Sequence, residues 1–274
     1  KTSGGLPFIG NAVLQGLDWV SFQCLWPCEF ASSGRPCEFC FSGAEHQALA
    51  AKNKPLPCAV SADDVHEIVR YAQENCGASA VQLTGGSTFD GRREAEHIRA
   101  YLAALSGLDL EELLLYITPP SDTAAVDEYF SLGASRIACS LEVWDTEHAG
   151  RITPGKIECT TRRRHLDILE YTAEKFGAGT AFSNFIIGLE PFESLQEGAE
   201  YLAERGIIPS ASVWMPMGRP VMGSMNAPEL DFYRRVIDLF GELYERYKLE
   251  PAGCCGLNVC IERDIWRLRN PAAV

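Results

Sequence analysis

Cys28, Cys37 and Cys40 fall within thirteen residues, in the run Cys28-Glu-Phe-Ala-Ser-Ser-Gly-Arg-Pro-Cys37-Glu-Phe-Cys40. Two residues separate Cys37 from Cys40, so one turn can aim both sulfurs at one centre. Gly34 and Pro36 favour a loop there. Soft thiolates select zinc, copper(I) or iron–sulfur clusters. Three is one short of the four ligands of a closed zinc or iron–sulfur site, and a cluster held by three cysteines keeps one iron open for chemistry. Structural zinc is the alternative, with Cys24 or His46 as the fourth ligand. Cys24 otherwise reads as strand core.

A second group, Cys254, Cys255 and Cys260, lies near the C-terminus. Adjacent cysteines diverge, which makes two neighbours on one metal awkward. An auxiliary cluster and simple buried thiols both remain open for this group. Cys58, Cys76, Cys139 and Cys159 read as core or loop thiols. With eleven cysteines in 274 residues, an odd number in a chain long enough to fold without staples, metal ligation in a reducing compartment explains the count better than disulfides. A cytoplasmic location is expected.

These residues need a scaffold, and the chain offers an alternating one. Short apolar runs at Trp19–Gln23, Ala80–Thr84, Leu113–Thr118, Arg136–Val143, Ala181–Gly188 and Ile208–Met215 read as strands. Several are nearly continuous, as parallel strands covered on both faces require. Between them lie amphipathic helices with start and stop signals, such as Ser61 before the Val65, Ile68, Val69 and Ala72 stripe and Gly77 after it. Six such units predict an α/β fold, a parallel (βα)6 partial TIM barrel, with a doubly wound sheet as the competing architecture. The barrel domain is expected over residues 1–248, with a cysteine-containing C-terminal extension over 249–274 packed on it.

A net charge of −13 disfavours nucleic acid as a partner. The basic run Arg162-Arg163-Arg164 reads as a solvated helix start. No apolar stretch is long enough for a membrane span, and the first residues lack the apolar core of a signal peptide.

The chain resembles the radical SAM superfamily in its biotin-synthase-like members. Three cysteines follow the first strand, and Phe39 immediately precedes the last. The pair Gly85-Gly86, in Leu83-Thr84-Gly85-Gly86-Ser87, ends the second strand. The spacing departs from the common pattern: eight residues separate Cys28 from Cys37 instead of three. The resemblance implies a [4Fe–4S] cluster on Cys28, Cys37 and Cys40, with S-adenosylmethionine (SAM) on the fourth iron. Reductive cleavage of SAM to a 5′-deoxyadenosyl radical would then abstract hydrogen from a small-molecule or cofactor-precursor substrate. It also implies a ferredoxin- or flavodoxin-type electron donor and sensitivity to oxygen. Sulfur insertion or methyl transfer, using the C-terminal cysteines, is the second option; a non-catalytic zinc or iron–sulfur protein is the third.

By the same resemblance, Gly85, Gly86 and Ser87 face the methionine amino group. Ser140 and Glu142, at the end of the fourth strand, face the ribose or amino-acid part of SAM. Pairing of Glu142 with Arg136 or Arg151 is its structural alternative. Arg151 or one of Arg162–Arg164 would neutralise the SAM carboxylate. Ile187 and Gly188 would contact adenine, and Met215, at the end of the sixth strand, would pack against adenine or substrate. No general acid, base or nucleophile stands out among these residues.

Overall fold

The six apolar runs become six parallel strands in a computed structural model that describes residues 1–16, 18–25, 27–56, 59–214, 226–252 and 261–271. They are β2 (Trp19–Leu25), β3 (Ala80–Gly85), β4 (Glu112–Tyr116), β5 (Arg136–Ala138), β6 (Ala181–Ile187) and β7 (Ile208–Val213). A short strand the periodicity did not predict, β1 (Val13–Gln15), pairs antiparallel with β2. Strand order in the seven-stranded sheet follows the chain from β1 to β7. A doubly wound sheet reverses its strand order at a switch point; this one never does, so the partial barrel stands.

The helices are α1 (Glu29–Ser32), α2 (Phe41–Ala51), α3 (Ala62–Cys76), α4 (Gly91–Leu105), α5 (Thr123–Ser131), α6 (Thr146–Ile152), α7 (Arg162–Phe176), α8 (Phe192–Glu204), α9 (Leu230–Tyr247) and α10 (Glu262–Arg269), with a π-helical turn at Lys156–Thr160. Helix α3 shows how the sequence writes them. The Ser61 hydroxyl accepts the Asp64 amide at 3.1 Å, and Gly77 ends the helix at φ +71°. Its stripe Val65, Ile68, Val69 and Ala72 is buried against the sheet, and each branched side chain there contributes about 1.5–3 kcal/mol.

The fourth parallel strand is shorter than the sequence predicts, ending at Ala138 rather than Val143. Glu142 takes φ +70°, a conformation that costs a non-glycine residue energy and breaks an extended run. The chain then rejoins the sheet through an isolated bridge between Glu142 and Phe185.

Candidate active site

A cleft of about 740 Å³, counting its open mouth, lies at the C-terminal ends of β2 to β5 and is walled by Cys28, Cys37 and Cys40 together. Two of these cysteines start helices: Cys28 is the N-cap of α1 and Cys40 the N-cap of α2. The Cys40 amide donates to the Cys37 carbonyl at 3.0 Å, closing the turn between them. The Glu38 amide ties this loop to the end of α6 through the Ile152 carbonyl at 2.9 Å. Gly155 lets the loop lie flat, because a Cβ there would sit 2.7 Å from the Arg35 carbonyl oxygen.

The Gly85-Gly86 turn is pressed against the cysteine loop. A Cβ on Gly86 would lie 2.5 Å from Cα and Cβ of Cys28. The Gly86 amide donates to the Leu25 carbonyl at 2.6 Å, and the Glu29 amide to the Ser87 carbonyl at 2.8 Å. The Ser87 amide points at Cys28 Sγ at 3.4 Å. The sequence suggested a ligand as the reason for the glycines. Their tightest contacts are instead with the cysteine loop itself, although Gly85, Gly86 and Ser87 also line the cleft.

Burial pushes the thiols of Cys37 and Cys40 above the usual cysteine range. The charge of Lys156 works against this at Cys37, and hydrogen bonds from Ser42 work against it at Cys40. Such thiols ionise readily only against a cation, which a bound metal centre supplies. Neither candidate for a fourth zinc ligand lines the cleft: Cys24 is buried in the main core, and His46 Nδ1 faces the Ser32 hydroxyl at 3.2 Å. Among the described residues, no three of His, Cys, Asp and Glu close on a single metal ion. Three thiols with a glycine-lined space beside them match the donor set of a cluster.

On the opposite wall, Ser140 and Glu142 both line the cleft. The partner of Glu142 is Lys156, whose Nζ donates to Glu142 Oε1 at 2.8 Å and to the Ser140 carbonyl at 2.7 Å. Asn184 Nδ2 donates to Glu142 Oε2 at 3.1 Å. Burial works against the Lys156 ammonium, yet Glu142 and the neighbouring thiols outweigh it and hold the group above the ordinary lysine range. The pairing with Arg136 or Arg151 is thereby corrected. Arg136 sits at the start of β5, the far end from the cleft, and pairs with Glu112 at 3.2 Å.

Arg151 lies exposed in the last turn of α6 and does not line the cleft. Of the basic run, Arg162 stacks 3.7 Å over the Trp144 ring and Arg163 pairs with Asp167 on the surface. Arg164 alone borders a small polar annex that shares Thr118 and Thr160 with the cleft. Phe39 lines the cleft. Ile187, which ends β6, and Gly188 after it lie outside its lining: Ile187 is fully buried in the core, and a Cβ on Gly188 would meet Pro228 at 2.7 Å. Met215, Cys254, Cys255 and Cys260 lie outside the described residues.

Three further residues escaped the sequence reading. Lys156 follows Pro154 and Gly155 and opens the short π-helical turn, with no periodicity to mark it; the carboxylate at Glu142 was the available signal, and it suggested an arginine. His165 lines the cleft, and burial drives its pKa down to about 3, so its imidazole is neutral. Nδ1 therefore donates to the Cys139 carbonyl, 3.2 Å away. Glu94 lines the annex, and burial raises its pKa to about 7. It accepts the Thr88 amide at 3.4 Å and the Thr118 amide at 3.0 Å, tying the loops after β3 and β4 together.

No protein-family model matches the chain. It is 26% identical over 261 residues to a bacteriochlorophyllide c C-7(1)-hydroxylase of Chlorobaculum limnaeum, covering 90% of this chain and 65% of that protein. The chain thus spans less than two thirds of this relative's length. Among solved structures it resembles Streptococcus suis SuiB bound to S-adenosylmethionine, with a TM-score of 0.62, 16% identity and coverage of 88% of this chain and 51% of that one. Methylornithine synthase (PylB) also gives a TM-score of 0.62, at 17% identity, covering 95% and 70%. A radical SAM methyltransferase from Sphaerobacter thermophilus gives 0.56 at 13% identity, covering 85% and 65%. The chain shares its partial-barrel fold with these structures, a radical SAM methyltransferase among them.

Proposed function

We propose that the protein is a radical SAM enzyme acting on a small molecule, with its cluster on Cys28, Cys37 and Cys40 and SAM in the cleft beside it. The carrying observation is that the three cysteines, the Gly85–Ser87 turn and the Glu142–Lys156 pair wall one cleft at the C-terminal strand ends, where barrel sites lie. The cluster and SAM, when bound, supply an electron that cleaves SAM and a radical that abstracts hydrogen from the substrate. The resemblance of the chain to a hydroxylase supports a carbon–hydrogen bond as the target.

The chain's own residues hold and shield. Gly85 and Gly86 leave room for a ligand's polar end to approach main chain. Lys156 offers a cation to a ligand carboxylate, as does Arg164 at the annex, and Glu142 accepts from hydroxyl or amino groups. Phe30 and Phe39 are cleft-lining aromatics that exclude water from the site. A ferredoxin- or flavodoxin-type protein is proposed as the electron donor. A second cluster on Cys254, Cys255 and Cys260 belongs to the same test.

The test is anaerobic reconstitution, counting iron and sulfide in the wild type, in Cys28/Cys37/Cys40→Ala and in Cys254/Cys255/Cys260→Ala, followed by a 5′-deoxyadenosine assay with dithionite and SAM. Four irons lost with the first triple variant, along with 5′-deoxyadenosine formation, is the expected result. Tightly held zinc and no SAM cleavage would overturn the proposal. Equal iron in the wild type and the second variant would remove the auxiliary cluster.

A further inference from the structure

A second cavity, of about 700 Å³ counting its mouth, lies behind the wall that Ser140 and Glu142 form on the cleft. The partition between the two alternates along the chain. Ser140 and Glu142 line the cleft, while Leu141 and Val143 line the pocket behind. In the next segment Thr160 lines the cleft, while Ile157 and Thr161 line the pocket. Lys156 and His165 border both. Two residues of this partition hold positive φ without being glycine, Glu142 at +70° and Thr161 at +58°. Backbone of that kind is costly and persists where the surroundings enforce it, often beside ligands.

The pocket is largely apolar, and its two cations differ. Lys156 is committed to Glu142 and the Ser140 carbonyl. Arg162, half-buried in the first turn of α7, is in no ion pair among the described residues. Its guanidinium stacks over the Trp144 ring and donates one N–H to the Trp144 carbonyl. Glu197 and Glu190 act on its charge from a distance. Glu190 is itself engaged, accepting the amides of Trp144 at 2.9 Å and Asp145 at 2.7 Å. Arg162, Arg163 and Arg164 all stand in the first turn of α7, with no acidic residue among them, where the helix dipole disfavours cations and attracts an anion. A partly desolvated guanidinium without a carboxylate is costly, and its planar fork suits one.

We propose that this pocket is a second ligand site, separate from the cleft, for an apolar molecule that ends in a carboxylate. The apolar body lies among Leu141, Val143, Ala149 and Ile157, and the carboxylate meets the Arg162 fork. The site goes beyond the reading of the cleft as a SAM site and does not depend on it.

Equilibrium dialysis of the anaerobically reconstituted protein compares octanoate with its uncharged analogue octanamide, with thermal unfolding of each variant alongside. The wild type should hold octanoate about tenfold more tightly than octanamide. Arg162→Gln should erase that preference while keeping octanamide binding within about twofold. Thr146→Trp, at an exposed position lining the pocket, should weaken both ligands about tenfold. SAM affinity should stay within about twofold in both variants. Equal affinity for the two ligands in the wild type, or a preference that survives Arg162→Gln, would overturn the inference. Octanoate binding unchanged in Thr146→Trp, or displacement of octanoate by SAM, would place the ligand elsewhere and overturn it equally. Should Arg162→Gln not fold, the wild-type comparison and Thr146→Trp decide. A protein that binds octanoate as expected but not SAM would sink the assignment of the cleft alone.

Discussion

Where β2 and β3 meet, the cleft wall is main chain; where β5 and β6 meet, it is side chain. On the first side, Gly86 lies against Cys28, and amides of residues 86, 87 and 29 fasten the two loops to each other. On the second, Glu142, Lys156 and Asn184 hold one another through side-chain bonds of 2.8 and 3.1 Å. A wall of backbone admits no added atom, whereas a wall of balanced charges admits substitution so long as the balance is kept. The difference predicts where the protein is brittle and where it is tunable.

The largest effect is expected at Gly86→Ala. The new Cβ would meet backbone and Cβ atoms of Cys28 at 2.5 Å and the Leu25 carbonyl at the same distance. None of these is the end of a flexible side chain, so the loops must separate at a cost of about 3 kcal/mol, the upper end for overpacking. Denaturant unfolding of the metal-free protein measures this, and iron retention after reconstitution should fall with it. A Gly86→Ala protein as stable as the wild type would break the claim that this wall is close-packed backbone.

Lys156→Met comes next. Its side chain is 18% exposed and that of Glu142 12%, so the variant leaves a mostly buried carboxylate without its cation. The expected loss is about 2–3 kcal/mol, at the low end for buried pairs because water reaches both groups. Adding Glu142→Leu should restore much of that stability in the double variant without restoring SAM binding. Recovery of stability alone would confirm that this wall is held by charge balance. Failure of the double variant to recover would mean that it too depends on exact packing.

Glu94 joins the loops beside the two walls, and it yields a pH test. Its pKa rises from 4.5 to about 7 on folding because of burial. The folded protein therefore holds the proton more tightly between those values. Stability from this group is highest below pH 4.5, falls as the pH climbs to 7, and levels off above. From pH 5 to 7 the wild type should lose about 2 kcal/mol that Glu94→Gln does not lose. Unfolding curves of the two proteins with parallel pH dependence would show that the carboxylate is ionised throughout and that this junction is not strained.

The two walls also differ in how far the sequence discloses them. The backbone wall could be read because its requirements are local: cysteine spacing, a turn with Gly34 and Pro36, and two adjacent glycines after an apolar run. Strand order was readable for the same reason, since each unit packs on the one before it. The side-chain wall could not be read, because Lys156 reaches Glu142 from the first residue of a π-helical turn and Asn184 reaches it across the sheet. Ser140-Leu-Glu142-Val looks like a strand by hydropathy, and only the positive φ at Glu142 reveals that the run turns.

The smallest effect is expected at Arg151, and it tests the side-chain wall from outside. Its place in the last turn of α6 gives it only a favourable position near the helix C-terminus, which contributes about 0.3–1 kcal/mol. Arg151→Ala should lower stability by no more than that and leave SAM affinity unchanged, while Arg164→Ala, at the annex, should weaken SAM binding. Dialysis on the two variants side by side decides between them. A tenfold loss of affinity in Arg151→Ala would move the carboxylate end of the ligand to α6, and with it the role assigned to Lys156.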